Sequence, residues 1–476
     1  MSLAEKVYQK SPVFLQNALL SAYGLHLYRL RFRGNFERRL GELLQSERFS
    51  AAQLLELQRR RLAELTRLLH ERVPHYRDHL KSRGATPEDI TLENFSAVFT
   101  PVTKADINRD PRRFLAEGVD ARDLVTINTS GTSGSPLTFY TTPQAVQENY
   151  AFFARFLRWA GVRERLRSAT FAGRIIIPQS QESPPFWRKN LVMRNQLFSS
   201  YHLSPRFLGD YVRELDRFAP EYIDSYPSAI YTLATFMLEH GLKLRHPPRA
   251  VVTSSETLLD YQRTAIEAAL GCRVFDQYGN AEAVSFIAQC EHGSYHVNPE
   301  YGIVEIVDAD GRPCAPGEVG ELVCTGFLNT AMPLVRYRIG DTASFASGTC
   351  ACGRHFPLMT QIEGRVDDMI ITPEGNRVGR LDPIFKGLAA IRETQIVQES
   401  LERLVVRIVP GKGFDLSMAE RVVAELRKRV GERIGIEVEI LQEIPRTRAG
   451  KFRAVVSHLK AGAGAQPRRP AARLPG

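Results

Sequence analysis

Short apolar runs alternate with helix-length segments along most of this chain, and that alternation limits its fold more than any other feature. Ala250-Val-Val-Thr, Gly302-Ile-Val-Glu-Ile-Val, Gly320-Glu-Leu-Val-Cys and Met369-Ile-Ile read as strands, while residues 208–218 and 260–270 carry helical spacing. Elements mixed in this way bury their apolar faces by layering, so the expected class is α/β (α+β layered) rather than a bundle or a sandwich. Residues 50–83 predict one helix with Leu54, Leu55, Leu57, Leu62, Leu65, Leu68 and Leu69 on its apolar face. After residue 366 the pattern tightens: strands near 394–398, 402–409 and 436–441 surround a helix over 415–431 striped by Met418, Val422, Val423, Leu426 and Val430. The reading is a large domain over 1–366, a small α+β domain over 367–460 and a disordered tail over 461–476, too rich in Ala, Gly, Pro and Arg to fold.

A chain of 476 residues that is 43% hydrophobic can bury a sizeable core. Its net charge of +10 raises the question of nucleic acid. The charge sits at the two ends, however. Residues 1–40 hold seven cations against Glu5 and Glu37, and the tail adds Arg468, Arg469 and Arg473 without an acid. No basic stripe crosses the body, so a nucleic-acid partner is not expected. No apolar run approaches the ~20 residues of a membrane span and no signal peptide is evident, so the cytoplasm is the expected compartment. Residues 12–25 followed by Arg29–Arg33 read either as a segment lying in a membrane interface or as a helix docked on the protein's own core. Core docking is the commoner fate of such segments.

Chemistry concentrates in a few loops. Thr129-Ser-Gly-Thr-Ser-Gly-Ser-Pro-Leu has the composition of a phosphate loop, with glycines that let backbone N–H groups converge and hydroxyls that add donors. Gln277-Tyr-Gly-Asn-Ala-Glu offers a ring for a purine and, at Glu282, a carboxylate for a metal-bound phosphate. Val335-Arg-Tyr-Arg-Ile-Gly-Asp closes on Asp341, which can accept two ribose hydroxyls. Glu363-Gly-Arg-Val-Asp-Asp follows, and Ile444-Pro-Arg-Thr-Arg-Ala-Gly-Lys ends on Lys451.

Taken in this order, with Thr100-Pro-Val-Thr-Lys-Ala-Asp-Ile, Thr253-Ser-Ser-Glu-Thr-Leu and Asn329-Thr-Ala-Met-Pro-Leu, these segments resemble the adenylate-forming superfamily. Within it the chain is similar to the phenylacetate–CoA ligase branch and to the CapK-type polysaccharide or capsule biosynthesis proteins. The resemblance covers roughly residues 40–458. It implies a large AMP-binding domain, a small mobile C-terminal lid, and ATP-dependent activation of a carboxylic acid to an acyl-adenylate. By that resemblance Thr129, Ser130, Gly131, Thr132, Ser133 and Gly134 cover the β- and γ-phosphates. Ser255, Glu256, Gln277, Tyr278 and Gly279 form the adenine pocket, Glu282 holds Mg²⁺, and Asp341 with Arg365 binds the ribose. Asp367 is the hinge, and Lys451 reaches the attacking carboxylate and the α-phosphate. Ser135 stands where the family usually has a lysine, which removes one cation from the phosphate loop.

The acceptor is left open between the thiol of CoA, an amine in surface-polysaccharide synthesis, and no acceptor at all, the enzyme then leaving AMP on its product. A scaffold that has lost chemistry is the remaining alternative. Tyr226-Pro-Ser-Ala-Ile and Phe171–Ile177 are the expected walls of the acid pocket.

The six cysteines are not a disulfide framework for a long cytoplasmic chain. Cys290, His296, Cys350 and Cys352 suit a tetrahedral Zn²⁺, with His292 as a substitute ligand, and some members of the resembled branch carry this Cys-x₅-His and Cys-x-Cys pair. The alternative is unrelated loop cysteines. With four protein ligands the metal would be structural.

Overall fold

The computed structural model describes residues 3–128, 137–172, 176–178, 181–360, 362, 364–365, 370–373, 377–378, 381, 384, 390–411, 413–446 and 452–459. The chain divides into two compact units, the larger of which runs to Ile362.

The larger unit is organised by a ten-stranded sheet. Asn195–Ser199, Ser168–Ala172, Tyr222–Ser225, Ala250–Ser254 and Arg273–Gly279 lie side by side in that order, all parallel. Ala169, Ile223, Val251, Val252 and Val274 are buried within them, as parallel strands covered on both faces require. Leu208–Phe218, Pro227–Glu239 and Asp260–Leu270 are the crossover helices, two of them on the residues the sequence marks. The sheet is antiparallel at both margins, with Trp187–Asn190 on one side and Phe286–Gln289, Tyr295–Val297, Leu358–Met359 and Phe345–Ala346 on the other. Because the five central strands share a direction, Ala172, Ser199, Ser225, Ser254 and Gly279 end along one edge. Open α/β sheets take their ligands at that edge.

A second sheet pairs Gly302–Val307, Gly320–Gly326 and Tyr337–Ala343 antiparallel. Leu322, Cys324 and Tyr337 pack into one core with Leu62, Leu65 and Leu69 of the helix Ala51–Arg72. Residues 50–83, expected as one helix, form two, Ala51–Arg72 and Pro74–Arg83. Pro74 excludes the helical conformation at the residue before it, and Val73 is extended at φ −112, ψ 105.

One buried ion pair braces this unit. Arg155 Nη1 lies 2.7 Å from Glu300 Oε1 with both side chains shut off from water. The guanidinium also donates to the Leu43 carbonyl at 2.9 Å, and the Ser46 hydroxyl donates to Glu300 Oε1 at 2.7 Å. Burial pushes the Glu300 carboxyl up, but Arg155 and Ser46 outweigh it and hold it below the usual range.

The N-terminal helix Val13–Phe32 docks on the edge strand Trp187–Asn190. Its docking differs from that of an ordinary amphipathic helix. Over the first turns its inward residues are polar: Gln16 is buried, and Asn17 and Ser21 accept from backbone N–H groups of Lys189 and Leu191. Leu20, Leu27, Tyr28 and Phe32 turn partly inward on another side of the helix.

The smaller unit has a four-stranded sheet in the order Gly435–Ile440, Arg403–Pro410, Ile391–Ser400, Val455–Ser457, its central pair antiparallel and its outer strands parallel to their neighbours. Helix Leu416–Val430 buries Ala419, Val422, Leu426 and Val430. Three strands and the helix match the expected positions within a few residues; Val455–Ser457 is a strand the pattern did not reveal. Ile370–Ile371 is a strand within the run Met369-Ile-Ile.

Candidate active site

The edge where the parallel strands end gathers most of the described candidate residues. Ser254 and Gln277 are partners at the ends of adjacent strands. Beyond Ser254 the chain turns sharply through Ser255, whose φ of 72 is left-handed and costly for a residue with a Cβ. The turn brings Glu256 back, and its Oε2 accepts the Ser228 backbone N–H at 3.0 Å. That amide belongs to the first turn of the helix Pro227–Glu239, which no cap side chain of its own serves. Glu256 thus fixes the loop that carries Ser255.

On the neighbouring strand Gln277 is half-buried, and its Oε1 has no hydrogen-bond partner among the described residues. Tyr278 donates its hydroxyl to Asp341 Oδ2 at 2.5 Å. Burial, and then the Asp341 charge, raise the Tyr278 phenol far above its ordinary value, so the proton stays on the tyrosine. Asp341 belongs to the second sheet, and Tyr337 of the same strand donates to Glu282 Oε1 at 3.3 Å. These two hydrogen bonds tie the sheets together and set Asp341 and Glu282 in one neighbourhood. Burial raises the Glu282 carboxyl and the Asp341 charge adds to it, while Tyr337 and the positive charge of Lys104 oppose the rise. Lys104, which the sequence motif Thr100–Ile107 contains without an assigned role, is therefore a cation whose charge acts on Glu282. Beneath the edge Asp276 is buried, with Thr253 Oγ1 donating to Oδ1 at 2.6 Å and Tyr295 Oη to Oδ2 at 2.7 Å.

A cavity of about 1040 Å³ starts at Ser254, Gln277, Gly279 and Asn280 and runs to the N-terminal helix at Leu20 and Tyr28. Its floor includes Ser168, Thr170, Tyr222 and Asp224. The expected walls are met in part. Ala172 and Ile176 line the cavity, whereas Ala229 and Ile230 of the Tyr226-Pro-Ser-Ala-Ile segment are buried in the core behind the sheet. The N-terminal helix as a wall was not foreseeable, because nothing in residues 13–32 indicates which strand they meet.

Cys290, His296, Cys350 and Cys352 come together with all four ligand atoms within 4.8 Å of one another. Cys290 Sγ lies 3.6 Å from Cys350 Sγ, and Cys352 Sγ lies 3.3 Å from His296 Nε2. A sulfur pair at 3.6 Å is no disulfide, whose bond is about 2.05 Å. Two thiolates each ~2.3 Å from one tetrahedral metal would stand about 3.8 Å apart. The donor set therefore fits a zinc ion in size and in chemistry. His292 joins only through its backbone N–H, which donates to Cys290 Sγ at 3.3 Å; its ring is not in the group. Burial pushes His296 down to about 4, which keeps the imidazole neutral, the form that binds a metal. Cys272, Cys314 and Cys324 are free thiols away from this group.

Thr129, Ser130, Gly131, Thr132, Ser133, Gly134, Ser135, Asp367 and Lys451 lie outside the described residues, as do the side chain of Arg365, the boundary at 366 and the tail from 461.

Residues 370–458 match the CapK C-terminal domain family. Protein CapK of Staphylococcus aureus is 26% identical over 460 residues, 95% of this chain and 99% of that protein. The chain is thus similar to CapK over nearly its whole length. A phenylacetate-coenzyme A ligase of Thermus thermophilus is 27% identical over 443 residues, covering 85% of this chain and 96% of the ligase. Among solved structures, 2-hydroxyisobutyryl-CoA ligase in its postadenylation state superposes with a TM-score of 0.70 at 21% identity, over 87% of this chain and 92% of that one. The chain thus shares the fold of an adenylate-forming CoA ligase. It is related along nearly all its length to proteins named for CapK and for phenylacetate activation.

Proposed function

We propose that this chain activates a carboxylic acid with ATP to an acyl-adenylate and passes the acyl group to the thiol of CoA. The observation that carries the reading is the Gln277–Gly279 strand end, with Tyr278 bonded to Asp341 and Glu282 close by, opening into a cavity of about 1040 Å³. The relationship to phenylacetate–CoA ligases supports it. In this reading Ser255, Glu256, Gln277, Tyr278 and Gly279 form the adenine pocket and Asp341 takes the ribose hydroxyls with Arg365. Thr129 to Gly134 cover the phosphates. Glu282 is the carboxylate suited to Mg²⁺, which would neutralise the leaving pyrophosphate. The acid lies in the cavity toward Ser168, Thr170 and Asp224.

A carboxylate attacking an α-phosphate brings two anions together, so a cation must meet the charge growing on the oxygens. Lys451 is assigned that role, with Lys104 a second cation on the side of Glu282, which matters because Ser135 leaves the phosphate loop without its usual lysine. Asp367 is the hinge for the lid between the two half-reactions. Zn²⁺ held by Cys290, His296, Cys350 and Cys352 fastens two loops and takes no part in chemistry. ATP and CoA place the reaction in the cytoplasm.

Pyrophosphate release from ATP over a panel of acids tests the first half-reaction. CoA and amines added to the responsive acid, with the product weighed by mass spectrometry, decide the acceptor. The Lys451→Ala protein should form adenylate ~10²–10³-fold more slowly, the usual cost of one lost electrostatic contact to a transition state. It should still process a supplied acyl-adenylate. Normal adenylation by that variant would exclude the assignment.

A further inference from the structure

Over its first three turns the helix Val13–Phe32 sets polar side chains against the strand Trp187–Asn190 and apolar ones toward solvent. Gln16 accepts from the buried Arg188 guanidinium, Asn17 Oδ1 accepts the Lys189 N–H at 2.9 Å, and Ser21 Oγ accepts the Leu191 N–H at 3.0 Å. Gly24 belongs to the same inward row, and a Cβ there would overlap the Asn190 amide. Glycine is a poor helix former beside alanine, and this close approach explains its presence. The opposite face shows Phe14, Leu15, Leu19, Tyr23 and Leu25 to solvent, with Phe14 74% exposed. The Ser21 bond sets Leu191, 71% exposed, beside the same helix. No described residue of the chain covers these side chains.

The charges around the patch identify its occupant. Residues 7–33 contain Lys10, Arg29, Arg31 and Arg33 and no acid; residues 187–194 contain Arg188, Lys189 and Arg194 and no acid. Lys10, Arg29, Arg33 and Arg194 are exposed. A second copy of the chain would press these cations against their own kind, whereas anionic headgroups complement them while the leucines enter the acyl boundary. Tyr23 and Val192, both exposed, also line the cavity that ends at Gln277. We propose that the helix Val13–Phe32, together with Leu191, seats this chain on an anionic phospholipid surface, with the cavity wall against the bilayer. No described helix is long and apolar enough to cross one, so the contact is peripheral.

The inference is independent of the reaction assigned to the site and is tested without it. The full chain is sedimented with vesicles of phosphatidylcholine alone, or with about a quarter of phosphatidylglycerol mixed in. Wild type should pellet with the anionic vesicles only. Leu15→Glu/Leu19→Glu should stay in the supernatant, and Arg29→Gln/Arg33→Gln should bind about fivefold more weakly for each cation removed. The arginine pair is exposed, so that variant keeps its fold even if the leucine pair does not, and circular dichroism checks both. Wild type remaining in the supernatant overturns the proposal. So does unchanged binding by the arginine variant, or a solution dimer that Leu19→Glu dissolves.

Discussion

At the residue scale, the most informative side chain is one the family motifs pass over. Asp276 precedes Gln277 and Tyr278, lies buried between Thr253 and Tyr295, and has its carboxyl pushed up to about 6 by burial, against the pull of those two hydroxyls and of Arg263. An unfolded aspartate titrates near 3.9, so between about pH 4 and 6 the folded chain binds a proton that the unfolded chain does not. The group therefore stabilises the fold below about pH 4, and that contribution is lost as the pH rises through about 6. A carboxyl displaced over that interval contributes roughly 2–3 kcal/mol. Denaturant unfolding at several pH values should show the stability of wild type relative to Asp276→Asn falling as the pH rises from about 4 to 6. Parallel slopes for the two proteins would rule the account out. Tyr278 behaves similarly with respect to prediction: its aromatic character was readable from the motif, but its bond to Asp341, 63 residues away, was not.

At the element scale, periodicity located helices and strands well and erred where a neighbour or a proline intervened. Helices over 208–218 and 260–270 fell where their spacing put them. The helix over 50–83 broke because Pro74 acts on Val73, a local rule that leucine spacing hides. Helix Val13–Phe32 was foreseeable as a helix, yet which face it would bury was not. Its polar inward contacts are with Lys189 and Leu191, about 170 positions along the chain. The second sheet shows how an element sets the site. Gly302 and Gly326 are paired, and a Cβ on Gly302 would overlap the Thr325 carbonyl and come within 2.8 Å of the Val284 carbonyl. A Cβ on Gly326 would lie 2.8 Å from the Ala283 carbonyl. These glycines let the turn that follows Glu282 rest on the sheet. Gly302→Ala should cost about 1–3 kcal/mol by overpacking against backbone that cannot yield. On the role proposed for Glu282 it should also raise KM for MgATP. Thermal unfolding and adenylation kinetics read the two effects, and a variant with wild-type values in both would show that the turn has room.

At the scale of the whole molecule, the metal group joins segments about 60 residues apart, Cys290–His296 and Cys350–Cys352. Trp159 stacks edge-on to His296 at 6.0 Å between ring centroids, and Arg155 lies over the Trp159 ring on its way to Glu300. A zinc ion there would brace the same core that the buried ion pair braces. Purified protein should hold one zinc per chain, and Cys352→Ser or a strong chelator should lower Tm by several degrees while leaving adenylation kinetics below the new Tm close to wild type. Binding to the folded state alone is the source of that stabilisation. A zinc-free protein with unchanged stability would return the four side chains to the status of a coincidence.

By itself the sequence determined the class of fold, several of its strands and helices including Leu416–Val430, and that Cys290, His296, Cys350 and Cys352 form one group. Those follow from periodicity, composition and motif, all of which are local along the chain. Only the tertiary structure decided which strand ends meet, that Asp341 takes the Tyr278 hydroxyl, that Glu256 serves a neighbouring helix, and that the cavity extends to residues 20–28. It also decided that the N-terminal helix leaves Phe14, Leu15, Leu19, Tyr23 and Leu25 exposed. These are contacts between residues far apart in sequence. Pairings of that kind are selected by packing and charge in three dimensions, and no one-dimensional period encodes them.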